Sequence, residues 1–164
     1  MPAIAKASGV TAGAIYKHFK SKADLLFEVT RRALVSIPLF VQAAQRENDT
    51  GTLVSLAAIY TKPELKLLRQ LSIEVHSAAT KDAKVKRVVA VSNEQAVAGA
   101  SAIIAAAQKA GQIDPKLNPT LAAYAFSVFI MGLTHMDTLM PQLVGDPEWH
   151  EFVSGRVAAL IGLR

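Results

Sequence analysis

Four lysines near the amino terminus carry the most readily interpreted chemistry of this 164-residue chain. They are Lys6, Lys17, Lys20 and Lys22, and no aspartate or glutamate precedes Asp24. Positive side chains without acidic neighbours attract phosphate groups and are typical of nucleic-acid-binding surfaces. The net charge of +5 is too small to establish such a partner alone. The lysines therefore indicate a phosphate-bearing partner, with solvated surface charge as the alternative.

Two short helices joined by a tight turn are predicted to position these lysines. The first helix ends near Ser8, Gly9 supplies the turn, and the Thr11 hydroxyl caps the second helix. Two short helices joined at a glycine form a helix-turn-helix, whose second helix enters the major groove of DNA. The lysines would then flank a DNA-binding helix.

The second of these helices has an inner and an outer face. Ile15 and Phe19 are four residues apart and share one face, which we expect to pack inward with Ile4 and Val10. Small residues at the helix start allow close approach to another surface, and the free N–H groups there favour phosphate. The side chains that point elsewhere are Ala12, Gly13, Tyr16, Lys17 and Lys20.

The segment that contains these helices resembles the TetR family of ligand-responsive transcription repressors. The resemblance lies in I-A-x-x-x-G-V at residues 4–10, Y-x-H-F-x-S-K at residues 16–22, and the pair Leu25-Leu26. It implies an all-α homodimer with a helix-turn-helix head at residues 1–24. A helical-bundle domain for ligand binding and dimerisation would follow at residues 25–164.

The resemblance also implies a role for each position of the motif. Thr11 would touch phosphate, whereas Gly13 and Lys17 would face base edges. Each residue also has a purely structural interpretation, since Thr11 is a helix cap in any case and the others could be packing or surface residues. The predicted DNA contacts are Lys6, Thr11, Ala12, Gly13, Tyr16, Lys17, His18, Lys20 and Lys22, of which Tyr16, His18 and Lys22 would hold the DNA backbone.

Members of the family carry a further helix before this motif, and Met1 falls where their second helix should begin. The missing first helix would cover Ile4, Ile15 and Phe19, so its absence should leave apolar surface exposed. We therefore expect this chain to bind DNA weakly or not at all, although a longer parent with that helix would bind. The alternative function is a ligand- or partner-binding helical dimer that no longer binds DNA.

The helical period continues to the carboxyl terminus and predicts an all-α fold. Capping residues and prolines locate the helix boundaries. Ser21 and Asp24 open a helix at about Lys22 that runs to about Arg46, with Pro38 as a kink or an early break. After a loop at Asn48–Thr52, helices are predicted to about Tyr60, at Pro63–Ala79 and Lys81–Ala110, from Asn118-Pro119 to about Leu139, and from Asp146-Pro147 to about Gly162.

The helix that follows Asn118 is apolar on nearly all sides, so it must be buried on more than one side. A second subunit could cover one of those sides, although the central helix of a monomeric bundle would show the same pattern. The last helix carries one apolar stripe. The residues predicted at a homodimer interface are Leu121, Ala125, Val128, Gly132, Trp149, Phe152, Arg156, Val157 and Leu160.

In the family, a small molecule enters a cavity among the middle helices and changes the spacing of the two DNA heads. The resemblance therefore implies an effector, whose identity the sequence does not show. The residues predicted near the cavity are Phe40, Tyr60, His76, Phe126, Phe129 and His135, and each could equally be a core or surface residue.

No catalytic or metal-binding constellation is recognisable. Glu74 and His76 are two residues apart, as are His135 and Asp137, so neither pair shares a helix face. The sequence lacks cysteine, a nucleophile elbow and a Gly-rich phosphate loop. We expect a cytoplasmic protein that is no enzyme, requires no cofactor or metal, and does not span a membrane.

Overall fold

The computed structural model describes most of the chain, namely residues 1–21, 24–25, 27–29, 32 and 50–163. Within these ranges the secondary structure is α-helix with short 3-10 turns, and one isolated antiparallel bridge joins Ile113 to Leu163. The predicted all-α class is confirmed, as is its division into a helix-turn-helix head and a helical bundle.

The head contains α1 (Pro2–Ala7) and α2 (Ala12–His18). After α2, the Ser21 hydroxyl accepts a hydrogen bond from the backbone N–H of Asp24 at 3.0 Å, as the predicted capping box requires. Helical residues follow at 24, 25, 27–29 and 32. Most of the helix predicted between about Lys22 and Arg46, including Pro38, lies outside the described residues.

Six further helices occupy residues 50–163, and two 3-10 turns, at Pro63–Leu65 and Pro141–Leu143, lie between them. They are α3 (Thr50–Ile59), α4 (Lys66–Ala79), α5 (Ala83–Lys109), α6 (Pro119–Leu133), α7 (Met136–Leu139) and α8 (Pro147–Leu160).

Side-chain caps begin α5, α6 and α8. In each case one side-chain oxygen accepts hydrogen bonds from two backbone N–H groups of the first turn, at 2.8–3.2 Å. Such a cap contributes about 1 kcal/mol. The caps are Asp82, Asn118 and Asp146, of which the last two were predicted.

The bundle is organised around α5, which packs against α4 on one side and α6 on the other. α3 packs against α8, and this pair completes the core together with α5 and α6. The side chains at the centre are almost wholly inaccessible to water, among them Leu53, Ile103, Ile104, Met136, Val153 and Val157.

Two predicted boundaries are wrong. Thr50–Thr52, predicted as loop, form the first turn of α3, because Leu53 and Ala57 must lie on one buried helix face. The helix predicted to reach Leu139 ends at Leu133. There the Thr134 hydroxyl donates to the carbonyl of Met131, and the chain turns so that Met136 becomes fully buried.

A buried arginine fixes the position of α7. Arg69 in α4 is wholly inaccessible, and its Nε donates to Asp137 Oδ2 at 2.6 Å while Nη2 donates to Oδ1 at 3.1 Å. Its Nη1 donates to the main-chain oxygens of Tyr60 and Lys62, just after the end of α3. One guanidinium therefore joins α4, α7 and the carboxyl end of α3.

α5 is long and apolar enough to cross a membrane by length and composition alone, with 27 residues and a mean hydropathy of 1.3 in its most apolar window. The core helix of a soluble protein passes the same test. α5 packs against α4 and α6, and 28% of its most apolar window is buried inside the bundle.

Candidate functional site

The two head helices pack through small and branched side chains. Ala5 of α1 and Ile15 of α2 are both buried, and Phe19 is half-buried beside them. Val10 was expected to join this face, but 45% of it is exposed, because the turn carries it away from the helix contact. The inner face is therefore smaller than predicted.

The turn between the helices depends on a glycine. Gly9 has φ of +66°, a conformation that glycine adopts at little cost and other residues rarely adopt. The Val10 N–H donates to the Ala5 carbonyl at 3.1 Å, closing the end of α1. On the other side of the turn, Thr11 Oγ1 accepts from the Ala14 N–H at 3.1 Å and begins α2.

The outer face of α2 is polar, basic and accessible. Tyr16 is 53% exposed, and Lys17, His18 and Lys20 are exposed beside it. Lys6 of α1, Thr11 and Gly13 are exposed as well, whereas Ala12 is half-buried. Lys22 lies outside the described residues. The helix-turn-helix thus presents most of the predicted DNA contacts to solvent.

A cavity of about 130 Å³ lies between α3, α4, α5 and α6. Three of the predicted ligand residues line it, namely Tyr60, His76 and Phe126. Phe129 does not line it, because this side chain packs against the core cluster instead. His135 lies near His76 but outside the lining, and Phe40 is not among the described residues.

Burial affects the two titratable groups of the cavity wall. It lowers the pKa of His76, and the neighbouring His135 lowers it further. It also raises the pKa of the Tyr60 hydroxyl. His76 is therefore a neutral imidazole, and Tyr60 a neutral phenol, at neutral pH.

Several polar residues of the cavity were not predicted. They extend the lining along the inner faces of α4, α5 and α6, where no local motif marks them. Only the packing of three helices brings these residues to one space. They are Ser72, Ser92, Asn93, Ser127 and Thr134.

An exposed apolar surface runs along α6 and α8 and is called the α6–α8 face below. Leu121, Val128 and Phe152 are 65%, 67% and 54% exposed on it. Of the other predicted interface residues, Gly132 and Arg156 are exposed and Ala125, Trp149 and Leu160 half-buried. Tyr124 (51%) and Met131 (37%) were not predicted.

Val157 is a correction to the predicted interface. This side chain is wholly buried within the chain, because it points toward α3 rather than outward. The neighbouring aromatic residues are ordered by mutual contact, since the rings of Trp149 and Phe152 stack with centroids 5.6 Å apart. The Arg156 guanidinium lies 5.3 Å from the centroid of Phe152.

α5 joins the cavity to the head side of the bundle. Val89, Ser92 and Asn93 line the cavity. Nearer the beginning of α5, Arg87 and Val88 share a second cleft with Phe27, which follows the head in the chain. A shift of α5 would therefore change both the cavity and the cleft at Phe27.

Comparison with known proteins agrees with this architecture. Residues 1–29 match the family model for bacterial regulatory proteins of the tetR family. The solved structure of Salmonella enterica GusR superposes with a TM-score of 0.70 over 96% of this chain and 82% of that chain, at 19% sequence identity. No curated protein sequence matches the chain. The resemblance predicted from the motif at residues 4–27 is confirmed by the family match.

Proposed function

We propose that this protein is a TetR-like transcription regulator, whose head binds operator DNA and whose bundle binds a small-molecule effector. The observation that carries the proposal is the division of α2 into a buried face at Ile15 and an exposed face at Tyr16 and Lys17. A helix packed on one side and basic on the other can lie in the major groove.

The lysines contribute affinity and the helix contributes selectivity. Lys6 and Lys20 are exposed, and no acidic residue precedes Asp24, so they can neutralise phosphates and release counterions. Gly13 and Lys17, on the outer face, would meet base edges, which carry the sequence information. The DNA-binding domain would comprise residues 1–24, and residues 25–164 the second domain.

Homodimerisation through the α6–α8 face would place two heads on one operator. The face carries Leu121, Val128 and Phe152, all more than half exposed on the single chain. Large contiguous apolar surfaces of this kind mark protein–protein contacts. A twofold axis through such a face pairs two copies of the same surface and doubles the DNA contacts.

The effector would act through α5. A ligand in the cavity touches the middle of this helix at Val89 and Asn93, and the head side meets its beginning at Arg87 and Val88. A ligand that fits one position of α5 better than another shifts the population of head spacings. A protein that releases DNA when the effector binds is a repressor. We place this repressor in the cytoplasm.

The test is fluorescence anisotropy with labelled fragments of the promoter beside its own gene, at two salt concentrations. Lys20→Ala should weaken binding to all sequences and reduce the salt slope by about one. Lys17→Ala should mainly reduce the preference for the promoter over a random duplex. Lys109→Ala, at the exposed end of α5, is the matched control and should change neither.

If neither the unchanged chain nor a version extended upstream of Met1 by the family's first helix binds DNA at low salt, DNA binding is excluded. The protein would then be a helical dimer that binds a ligand or a partner. Retained binding with no difference between Lys17→Ala and Lys109→Ala would instead exclude the outer face of α2 as the DNA contact.

A further inference from the structure

The cavity described above has a wall without formal charge at neutral pH. Its lining, all within the described ranges, contains no lysine, arginine, aspartate or glutamate. His76 is the one histidine of that lining, and burial together with His135 keeps it neutral. A charged group that enters this space would lose part of its hydration without gaining a partner of opposite charge, which is unfavourable.

The volume of the cavity limits the part of a ligand that it can enclose. A cavity of about 130 Å³ is close to the engineered apolar cavity of about 150 Å³ that binds benzene. Leu56, Phe126 and Ile130 supply apolar surface around it. In this state of the protein, the space therefore fits a single ring with a small substituent.

The polar groups of the wall differ in what they can still bind. Ser72 Oγ donates to the Leu68 carbonyl at 2.9 Å, so its proton is already engaged. Thr134 Oγ1 likewise donates to the Met131 carbonyl at 2.6 Å. Both hydroxyls retain only acceptor capacity toward the cavity.

The His76 ring and the Asn93 amide have no such partner. Neither side chain makes a hydrogen bond to any residue in the described part of the chain, although both line the cavity and are half-buried. A neutral imidazole offers one donor and one acceptor, and an amide offers both as well. They sit on the adjacent helices α4 and α5, which pack against each other.

We propose that the effector is an uncharged molecule with one ring and a hydroxyl, carbonyl or amide group that hydrogen-bonds to His76 and Asn93. Carboxylates and ammonium ions of the same size are rejected. This inference rests on the proposed role of the cavity as the effector site and adds the chemical class of the effector.

The test compares four probes of nearly equal shape, namely toluene, benzyl alcohol, benzoate and benzylammonium. Each is titrated into the full chain at neutral pH, by calorimetry and by the shift in melting temperature. We expect benzyl alcohol to bind at millimolar concentration or better, with toluene weaker. Benzoate and benzylammonium should bind at least about tenfold more weakly than benzyl alcohol, since each would be buried without a counter-charge.

Substitutions in the cavity and beside it show whether the probes bind there. His76→Leu and Asn93→Leu should each remove the preference for benzyl alcohol over toluene while leaving toluene binding intact, which also shows that the variant folds. Ala96→Phe, which fills the cavity from α5, should abolish binding of both probes. Gln95→Phe, at an exposed neighbouring position of α5 outside the lining, is the matched control and should leave both affinities unchanged.

The outcomes separate this inference from the proposed function. If benzoate or benzylammonium binds as well as benzyl alcohol, or if no probe binds, the inferred ligand class is wrong. If benzyl alcohol binds with the predicted selectivity but leaves the anisotropy of the DNA complex unchanged, the ligand class stands and effector-driven release of DNA fails.

Discussion

Arg69 and Asp137 form a two-pronged ion pair inside the bundle, with distances of 2.6 Å from Nε to Oδ2 and 3.1 Å from Nη2 to Oδ1. The arginine side chain is wholly buried and the aspartate side chain is 14% exposed. The remaining donor contacts of the guanidinium are to the main chain at Tyr60 and Lys62. The pair therefore connects residues 68 positions apart in sequence and closes one end of the bundle.

Removal of the aspartate should destabilise the protein strongly. Asp137→Ala leaves a buried positive charge without its partner, which costs about 3–5 kcal/mol. The double variant Arg69→Met, Asp137→Leu should recover most of that loss, because it removes both charges. Urea denaturation measures both variants, and equal stability of the single and double variants would contradict the buried-charge explanation.

The same pair should contribute to acid sensitivity. The hydrogen bonds and charge of Arg69 lower the pKa of Asp137 below its ordinary value. Because the folded-state pKa is the lower one, the stabilisation is complete above the ordinary carboxyl pKa of about 3.9 and disappears as pH falls through the depressed pKa. Asp137→Asn has no carboxylate at this position, so its free energy of unfolding should lack this part of the decrease in acid.

Measurements of unfolding free energy at a series of pH values below neutrality check this prediction. The difference between the unchanged protein and Asp137→Asn should shrink as the pH falls below about 4. A constant difference over that range would exclude Asp137 as a source of acid sensitivity.

Two glycines with similar backbone angles should respond differently to substitution by alanine. Gly111 has φ of +76° and open space where a Cβ would lie, so Gly111→Ala should cost only backbone strain, about 1–2 kcal/mol. Gly162 has φ of +80°, and its added Cβ would lie 2.8 Å from Leu117 and 2.9 Å from Ile113. Gly162→Ala should therefore cost a further 1–3 kcal/mol or so.

Thermal unfolding of the two alanine variants provides the comparison. Because the backbone strain is nearly the same, the difference between them reports the crowding at Leu117 and Ile113. Equal melting temperatures would show that the loop after α5 moves aside freely to accept the methyl group.

A charge on the α6–α8 face should prevent self-association. Val128→Asp places a carboxylate at the middle of the exposed stripe of α6, where Val128 is 67% exposed. It should raise the dimer dissociation constant by about a hundredfold or more, since the charge would be buried twice in a twofold interface. The folded single chain should be little affected, because water already reaches this position.

Leu67→Asp is the control for that experiment. Leu67 is 78% exposed but belongs to α4, away from the α6–α8 face. Sedimentation velocity should show a dimer for Leu67→Asp and a monomer for Val128→Asp. Two dimers would mean that the chains associate elsewhere, and two monomers would point to a general effect of added charge.

Elements with local signals were predictable from the sequence. The caps Thr11, Asn118 and Asp146 each bind N–H groups two or three residues away, so the residue type and the following sequence suffice to locate them. Gly9 was identified in the same way, because a tight turn needs positive φ. The two head helices and the turn between them could therefore be located from the sequence alone.

Features that depend on distant residues were not predictable. α6 ends at Leu133 because Met136 is buried and Asp137 pairs with Arg69. No helix-terminating residue near Leu133 predicts this end. Asp137 drew attention only through its nearness to His135 in sequence. Helical period also could not show which residues of the apolar stripe of α8 point inward, so Val157 was assigned to the interface although it is buried within the chain.

The residues that line the cavity were partly predictable from the sequence. Aromatic and histidine residues were reasonable candidates by type, and Tyr60, His76 and Phe126 do line the space. Phe129 lies only three residues beyond Phe126 and packs against the core cluster without lining the cavity, because the rotation of α6 about its axis decides which ring meets the opening. That rotation is set by packing against α5, which the sequence alone does not specify.

The α6–α8 face also bears on how the protein behaves at low copy number. A chain whose apolar side chains become covered only when it meets a second copy gains stability from its own concentration. Its melting temperature should then rise on going from nanomolar to micromolar protein, and freshly synthesised chains should be the most vulnerable to aggregation and proteolysis. Residues such as Leu121 and Phe152 would thereby couple the lifetime of the protein to its abundance.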